Sequence, residues 1–124
     1  EDQCATETVD PARVYIVGLS MGGYGTWEAA IRWTERFAAC VPVCGGGDVA
    51  HAAKLVGMPL WAFHGTKDSV VPASCSQTMV EAISAAGGTP RYTEYPSRDH
   101  DAWNPAFRER SLYRWLVAQR REER

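Results

Sequence analysis

Two rhythms of apolar and polar positions alternate along this chain. Arg13-Val14-Tyr15-Ile16-Val17 is a short β-branched run that stops at Gly18, the pattern of a buried strand. From Met21 to Trp33 the rhythm changes, and Trp27, Ala30, Ile31 and then Thr34 recur at helical spacing. Phe37 to Val43 returns to a strand-like run. Gly45-Gly46-Gly47 opens a loop, and Asp48 is placed to cap a short helix through His51 and Leu55. Leu60-Trp61-Ala62-Phe63, opened by Pro59, predicts a third strand. Ser74 to Ala86 predicts a helix with Met79, Val80 and Ile83 on its apolar side, stopped by Gly87-Gly88. Arg91 to Tyr95 alternates between Pro90 and Pro96, a fourth strand. Asn104-Pro105 pairs a cap residue with a first-turn proline. The helix it starts carries Leu112, Trp115, Leu116 and Gln119 on one stripe and runs to about Arg120.

Strands separated by helices require crossover connections, and these are right-handed. The expectation is an α/β domain over residues 1–124: about four parallel strands and four helices, with helices on both faces of the sheet. In open sheets of this kind ligands bind at the carboxyl ends of the strands. Three of the four predicted strand ends carry side chains capable of catalysis.

Composition narrows the function classes. The chain has 124 residues, 45% of them hydrophobic and 23% charged, which is ordinary for a globular domain. A formal charge of −2 makes no electrostatic case for nucleic acid. Arg108, Arg110, Arg114, Arg120, Arg121 and Arg124 are interleaved with Glu109, Glu122 and Glu123, the pattern of a solvated helix face. No apolar run approaches the ~20 residues that span a bilayer. No signal-peptide pattern is visible at the start of the sequence. It starts at Glu1 without an initiator Met, so an upstream piece is expected to have been removed or left out. The compartment stays open, secretion included. Cys4, Cys40, Cys44 and Cys75 fit no zinc spacing, and the three scattered histidines give no ligand pattern, so no metal is expected. Cys40 and Cys44 flank an apolar strand and are expected to be buried thiols; the state of Cys4 and Cys75 is left open.

Gly18-Leu19-Ser20-Met21-Gly22 matches G-x-S-x-G, directly after a strand and directly before a helix. By composition the motif has a chance expectation on the order of 0.04 in a chain of this size. A serine on such a turn sits in strained backbone, so its neighbours must be small. Gly18 and Gly22 meet that need, and Gly23 and Gly25 are expected to let the helix pack close to the sheet. The helix amino terminus points its positive end at the serine oxygen. The backbone N–H of Met21 is the candidate donor to an oxyanion.

A serine hydroxyl needs a nearby imidazole to take its proton, and the imidazole needs a carboxylate to hold its tautomer. On turns of this type the order along the chain is serine, acid, histidine. His51 falls in a predicted surface helix. His64 precedes the candidate acid and is expected to hydrogen-bond backbone near the site. His100, in Ser97-Arg98-Asp99-His100-Asp101-Ala102-Trp103, follows the fourth strand and has the right order, so it is the candidate base. Asp68, just past the third strand, is the candidate acid. Asp48 is its main rival, although helix capping explains Asp48 well; Asp99 and Asp101 adjoin the histidine too closely in sequence to serve it.

Four segments together resemble a known family: Gly18-Leu19-Ser20-Met21-Gly22-Gly23-Tyr24-Gly25-Thr26-Trp27, Pro42-Val43-Cys44-Gly45-Gly46-Gly47, Trp61 through Pro72, and His100-Asp101-Ala102-Trp103. They look like the carboxyl-terminal half of α/β-hydrolases of the phospholipase/carboxylesterase and "predicted peptidase" group, relatives of dienelactone hydrolases, feruloyl-type esterases and polyhydroxybutyrate depolymerases. The resemblance runs from about Val9 to Trp115. It implies a Ser20–Asp68–His100 triad that cleaves carboxylic esters, small or polymer-linked, without a cofactor. Tyr24 and Trp103 are candidates for the substrate pocket, with core packing the alternative for each. Members of the family also carry an upstream half that supplies the first strands and the second oxyanion donor, and nothing in this chain corresponds to it. The Val14–Val17 strand would then expose an apolar edge open to pairing, including self-association. Two other functions are therefore in view: a non-catalytic, truncated hydrolase domain that pairs with a partner chain, and an acyltransferase on the same triad.

Overall fold

The computed structural model describes residues 14–96, 105–106 and 110–119. Its sheet contains β1 (Tyr15–Leu19), β2 (Ala39–Val43), β3 (Trp61–Gly65) and β4 (Arg91–Tyr95), paired in that order and all parallel. The α-helices bounded among the described residues are α1 (Met21–Arg32), α2 (Ser74–Ala85) and α3 (Arg110–Ala118). Val49–Leu55, expected as a short helix, is a 3₁₀ helix, and the Asp48 side chain accepts a hydrogen bond from Ala50 N–H at 3.0 Å at its start. Thr34–Arg36 adds one 3₁₀ turn after α1. The four-stranded α/β expectation holds.

Side-chain alternation in the strands sorts the core into two layers. Ile16, Cys40, Ala62 and Tyr92 point to one face, where Trp27, Ala30 and Ile31 of α1 and Met79 and Ile83 of α2 cover them. Tyr15, Ala39, Val41, Val43, Trp61, Phe63 and Tyr95 point to the other, where Leu112 and Leu116 of α3 pack. Trp61 stacks on Phe63 with ring centroids 5.0 Å apart and meets Trp115 edge-on at 5.6 Å. With both faces covered, β2 and β3 are buried at every residue, as expected of central parallel strands.

The carboxyl end of β1 differs from the sequence pattern for a physical reason. β1 runs on through Gly18 and Leu19, because Leu19 registers with Val43 and the ladder continues into Ser20, whose N–H bonds to Val43 C=O at 2.9 Å. Pro42 lies in the central strand, where proline removes a ladder donor. Cys40 N–H reaches Pro59 C=O at 3.0 Å and Cys44 N–H reaches Phe63 C=O at 2.9 Å, so the missing N–H of Pro42 interrupts the β2–β3 ladder between them. This is why that pair registers only at Val43 with Phe63 and at the isolated Cys40–Leu60 bridge. α2 ends where its glycines predict: Gly87 takes φ of 106° and Gly88 N–H bonds back to Ile83 C=O at 2.9 Å.

Cys40 and Cys44 are buried free thiols, and Cys75 is a partly exposed one; Cys4 lies outside the described residues. Burial pushes the Cys40 thiol up, which keeps it protonated.

Candidate active site

The serine turn is shaped by backbone contacts. Ser20 follows β1 with φ of 55° and ψ of −118°, a conformation that costs on the order of 1–3 kcal/mol for a residue with a side chain. The turn is held because Gly23 N–H and Tyr24 N–H both bond to Ser20 C=O, at 2.8 and 3.1 Å. A Cβ on Gly18 would run into Gly22 C=O and Thr26 Oγ1, and one on Gly23 would lie 2.6 Å from Val43 C=O. Gly22 and Gly25 would meet nothing within 4 Å. The tight positions are therefore Gly18 and Gly23, not Gly22 and Gly25. The reason is azimuth: Gly23 faces β2 and Gly45, while Gly22 and Gly25 face outward. Met21 is the first residue of α1, where an α-helix leaves N–H groups without intrahelical partners.

Asp68 sits in the loop after β3, and its side chain is fully buried. Its Oδ1 accepts from Val70 N–H at 2.9 Å and Val71 N–H at 2.7 Å. Its Oδ2 lies 3.3 Å from Nε2 of His64, whose side chain is also fully buried. Two backbone donors and an imidazole thus compensate the desolvation of the carboxylate. His64 bonds backbone, as expected, with Nε2 2.7 Å from Val71 C=O, and its Nδ1 lies 2.7 Å from Ser76 Oγ. Ser76 was not indicated by any sequence signal. Asp48, the rival acid, is exposed and engaged in its cap, 3.8 Å from His51. His100 and Trp103, with Asp99 and Asp101, lie outside the described residues.

Beside these loops stand two clefts that share Tyr24, Gly46 and Gly47. One, about 510 Å³, is also lined by Gly25, Glu28 and Asp48; the other, about 260 Å³, by Val49, Ser74, Cys75 and Thr78. Tyr24 is 44% exposed, which sets aside the core-packing alternative for it. Partial burial, the neighbouring Cys75 and the charge of Asp68 push its phenol above the ordinary range, so it remains a hydrogen-bond donor at neutral pH. Among the described residues no three His, Cys, Asp or Glu side chains gather as a metal site requires.

Comparison with known proteins follows the same segments. The profile of the dienelactone hydrolase family matches residues 2–113. The bifunctional acetylxylan esterase/xylanase of Neocallimastix patriciarum is 39% identical over 72 residues, covering 56% of this chain and 11% of that protein. Poly(3-hydroxyalkanoate) depolymerase C of Paucimonas lemoignei is 40% identical over 42 residues, 34% of this chain and 10% of that one. The crystal structure of a thermostable esterase superposes with a TM-score of 0.93 at 39% identity, over 97% of this chain and 34% of that one. The chain thus spans about a third of that esterase and about a tenth of the two curated relatives.

Proposed function

This chain belongs to the dienelactone hydrolase family, and from that premise we propose that it is the nucleophile-bearing part of a serine hydrolase that cleaves carboxylic esters through an acyl-enzyme. Ser20 Oγ attacks the ester carbonyl while His100 takes its proton. Asp68 holds the imidazole in the productive tautomer and stabilises its charge. Met21 N–H is one oxyanion donor, and an upstream half of the protein supplies the second. The alcohol leaves with the proton from His100, and water then attacks the acyl-enzyme by the same route.

The observation that carries this reading is the backbone of Ser20, a non-glycine residue with φ of 55° on a G-x-S-x-G turn between strand and helix. Such strain persists where the surroundings over-determine it, and it clusters at active sites. The ends of β1 and β3 are two strand spacings apart, roughly 10 Å, which leaves room for an imidazole between hydroxyl and carboxylate. Tyr24 and the clefts on either side of it suit an ester carried on a sugar or a polymer, the substrates named for the xylan and polyhydroxyalkanoate relatives.

The test is labelling with a fluorophosphonate, read by intact mass, on this chain and on Ser20→Ala. A single adduct that is lost in the variant supports the reading; no adduct on a folded chain refutes it for the chain alone. A second reading rests on β1. Its outer edge has no partner strand among the described residues, and Val17 and Leu19 are 42% and 36% exposed. A domain that self-associates through this edge, without catalysis, would run as a dimer in light scattering and take no label.

A further inference from the structure

We propose that His64 and Ser76 are positioning residues, which fix the acid-bearing loop and tie it to the nucleophile turn. The inference rests on the proposed role of Asp68 as the acid.

The proton inventory of His64 is restricted by its partners. Val71 C=O can only accept, so Nε2 must carry a proton, and that N–H lies between Val71 C=O at 2.7 Å and Asp68 Oδ2 at 3.3 Å. At the other nitrogen, Ser76 Oγ is 2.7 Å from Nδ1 and 3.2 Å from Gly45 C=O. Ser76 has one proton to give, and the shorter contact favours Nδ1. In either arrangement of that proton, Nε2–H faces the acid loop. His64 thus holds the backbone of Val71, whose N–H in turn holds Asp68 Oδ1 at 2.7 Å. The loop is closed on itself through the imidazole, and the imidazole is anchored to α2.

The same anchor reaches the serine. Gly45, which Ser76 Oγ approaches, packs so tightly on α1 that a Cβ there would lie 2.5 Å from Gly23 C and 2.7 Å from Tyr24 N. Gly23 and Tyr24 are the two residues whose N–H groups clamp Ser20 C=O. A path of direct contacts therefore runs from Asp68 through His64, Ser76 and Gly45 to the clamp on Ser20. His64, Ser76 and Gly45 are all buried along it, so water does not compete for these bonds. Misplacement by about 1 Å of a group that orients the reaction costs on the order of a hundredfold in rate.

The experiment measures turnover of p-nitrophenyl acetate, the rate of fluorophosphonate labelling and Tm for the whole chain and five variants. Ser76→Ala is expected to lower kcat and the labelling rate about ten- to a hundredfold while leaving KM nearly unchanged. His64→Gln, which keeps an N–H near the Nε2 position, should lose less than His64→Ala. Ile83→Val, a core truncation in the same helix, should lower Tm and leave kcat alone. Ser76→Ala with full kcat and only a lowered Tm would overturn the proposal and reduce the network to packing. Asp68→Ala separates the two layers of the argument: if it keeps full kcat, or if the wild-type chain neither turns over ester nor takes the label, the reading of Asp68 as the acid fails and the proposal fails with it.

Discussion

The turn after β1 and the loop after β3 each present one side chain at the carboxyl end of the sheet, but they are held by different physics. The serine turn is held by close approach. Gly18 and Gly23 lie so near to backbone carbonyls and to Thr26 that an added Cβ would collide, and Ser20 between them takes a positive φ. The acid loop is held by hydrogen bonds: Asp68, His64 and Ser76 are buried polar side chains that satisfy one another and nearby backbone. Steric restraint fails abruptly, because a methyl group either fits or displaces the backbone. Hydrogen-bonded restraint fails in proportion to the groups left unpaired. The two loops should therefore respond differently to the smallest substitutions.

The largest effect is expected at Gly18. An added methyl there collides with Gly22 C=O and Thr26 Oγ1, and the first of these is backbone that cannot rotate away. Moving it breaks the Thr26 Oγ1–Gly22 C=O bond of 2.7 Å and the start of α1 together. Gly18→Ala should cost about 3 kcal/mol or more in urea unfolding and abolish labelling of Ser20. A variant that folds with near wild-type stability would show that the turn tolerates relaxation and that close approach is not its restraint.

Asp68→Asn is the corresponding change in the other loop, and it preserves shape. Oδ1 can still accept from Val70 and Val71, but the amide then turns an N–H toward Nε2–H of His64, donor against donor at 3.3 Å. Stability should fall by about 1–3 kcal/mol, less than at Gly18. Ester turnover should fall by up to about ten-thousandfold, the scale seen when a triad acid becomes an amide. An Asn variant as stable as wild type would mean that His64 gives its Nε2 proton wholly to Val71 and contributes nothing to Asp68.

The same contrast explains how much was legible in the sequence. The alternation of strand and helix rhythms revealed the parallel sheet, because burial on both faces imposes those rhythms. Ser20 was legible because everything that shapes its turn lies within a few residues along the chain. The loop that carries Asp68 follows from its place after β3, and the backbone bonding of His64 from its place near the end of that strand. Ser76 was not legible: its partners His64 and Gly45 are 12 and 31 residues away, and an unremarkable serine in the first turn of a helix carries no mark of them. The division of labour among the glycines was not legible either, since it depends on which side of α1 faces the sheet. The carboxyl end of β1 was placed short for a related reason. Gly18 looks like a stop in isolation, and only its registry with Pro42 makes it strand.

Gly25 offers the sharpest control and the smallest effect. It lies in the same helix as Gly23, two residues on, but its Cβ would meet nothing within 4 Å. Glycine inside a helix is less favourable than alanine by about 1 kcal/mol, partly because it leaves the unfolded chain more freedom to lose. Gly25→Ala should therefore raise stability by about 0.5–1 kcal/mol, or a few degrees in Tm, where Gly18→Ala is ruinous. The opposite signs of one methyl at Gly18 and at Gly25 would locate the steric restraint at the serine turn and not on the outward face of α1. Because Gly25 also lines the larger cleft, comparing turnover of a small acetate ester with that of a sugar-linked one reads that cleft separately from stability. Slower turnover of the larger ester alone would place substrate beside Gly25. Equal turnover of both would move the substrate to the Cys75 side of Tyr24. A loss of stability, instead of a gain, would mean that the outward face of α1 is packed against more of the protein, and that close approach governs both sides of the helix.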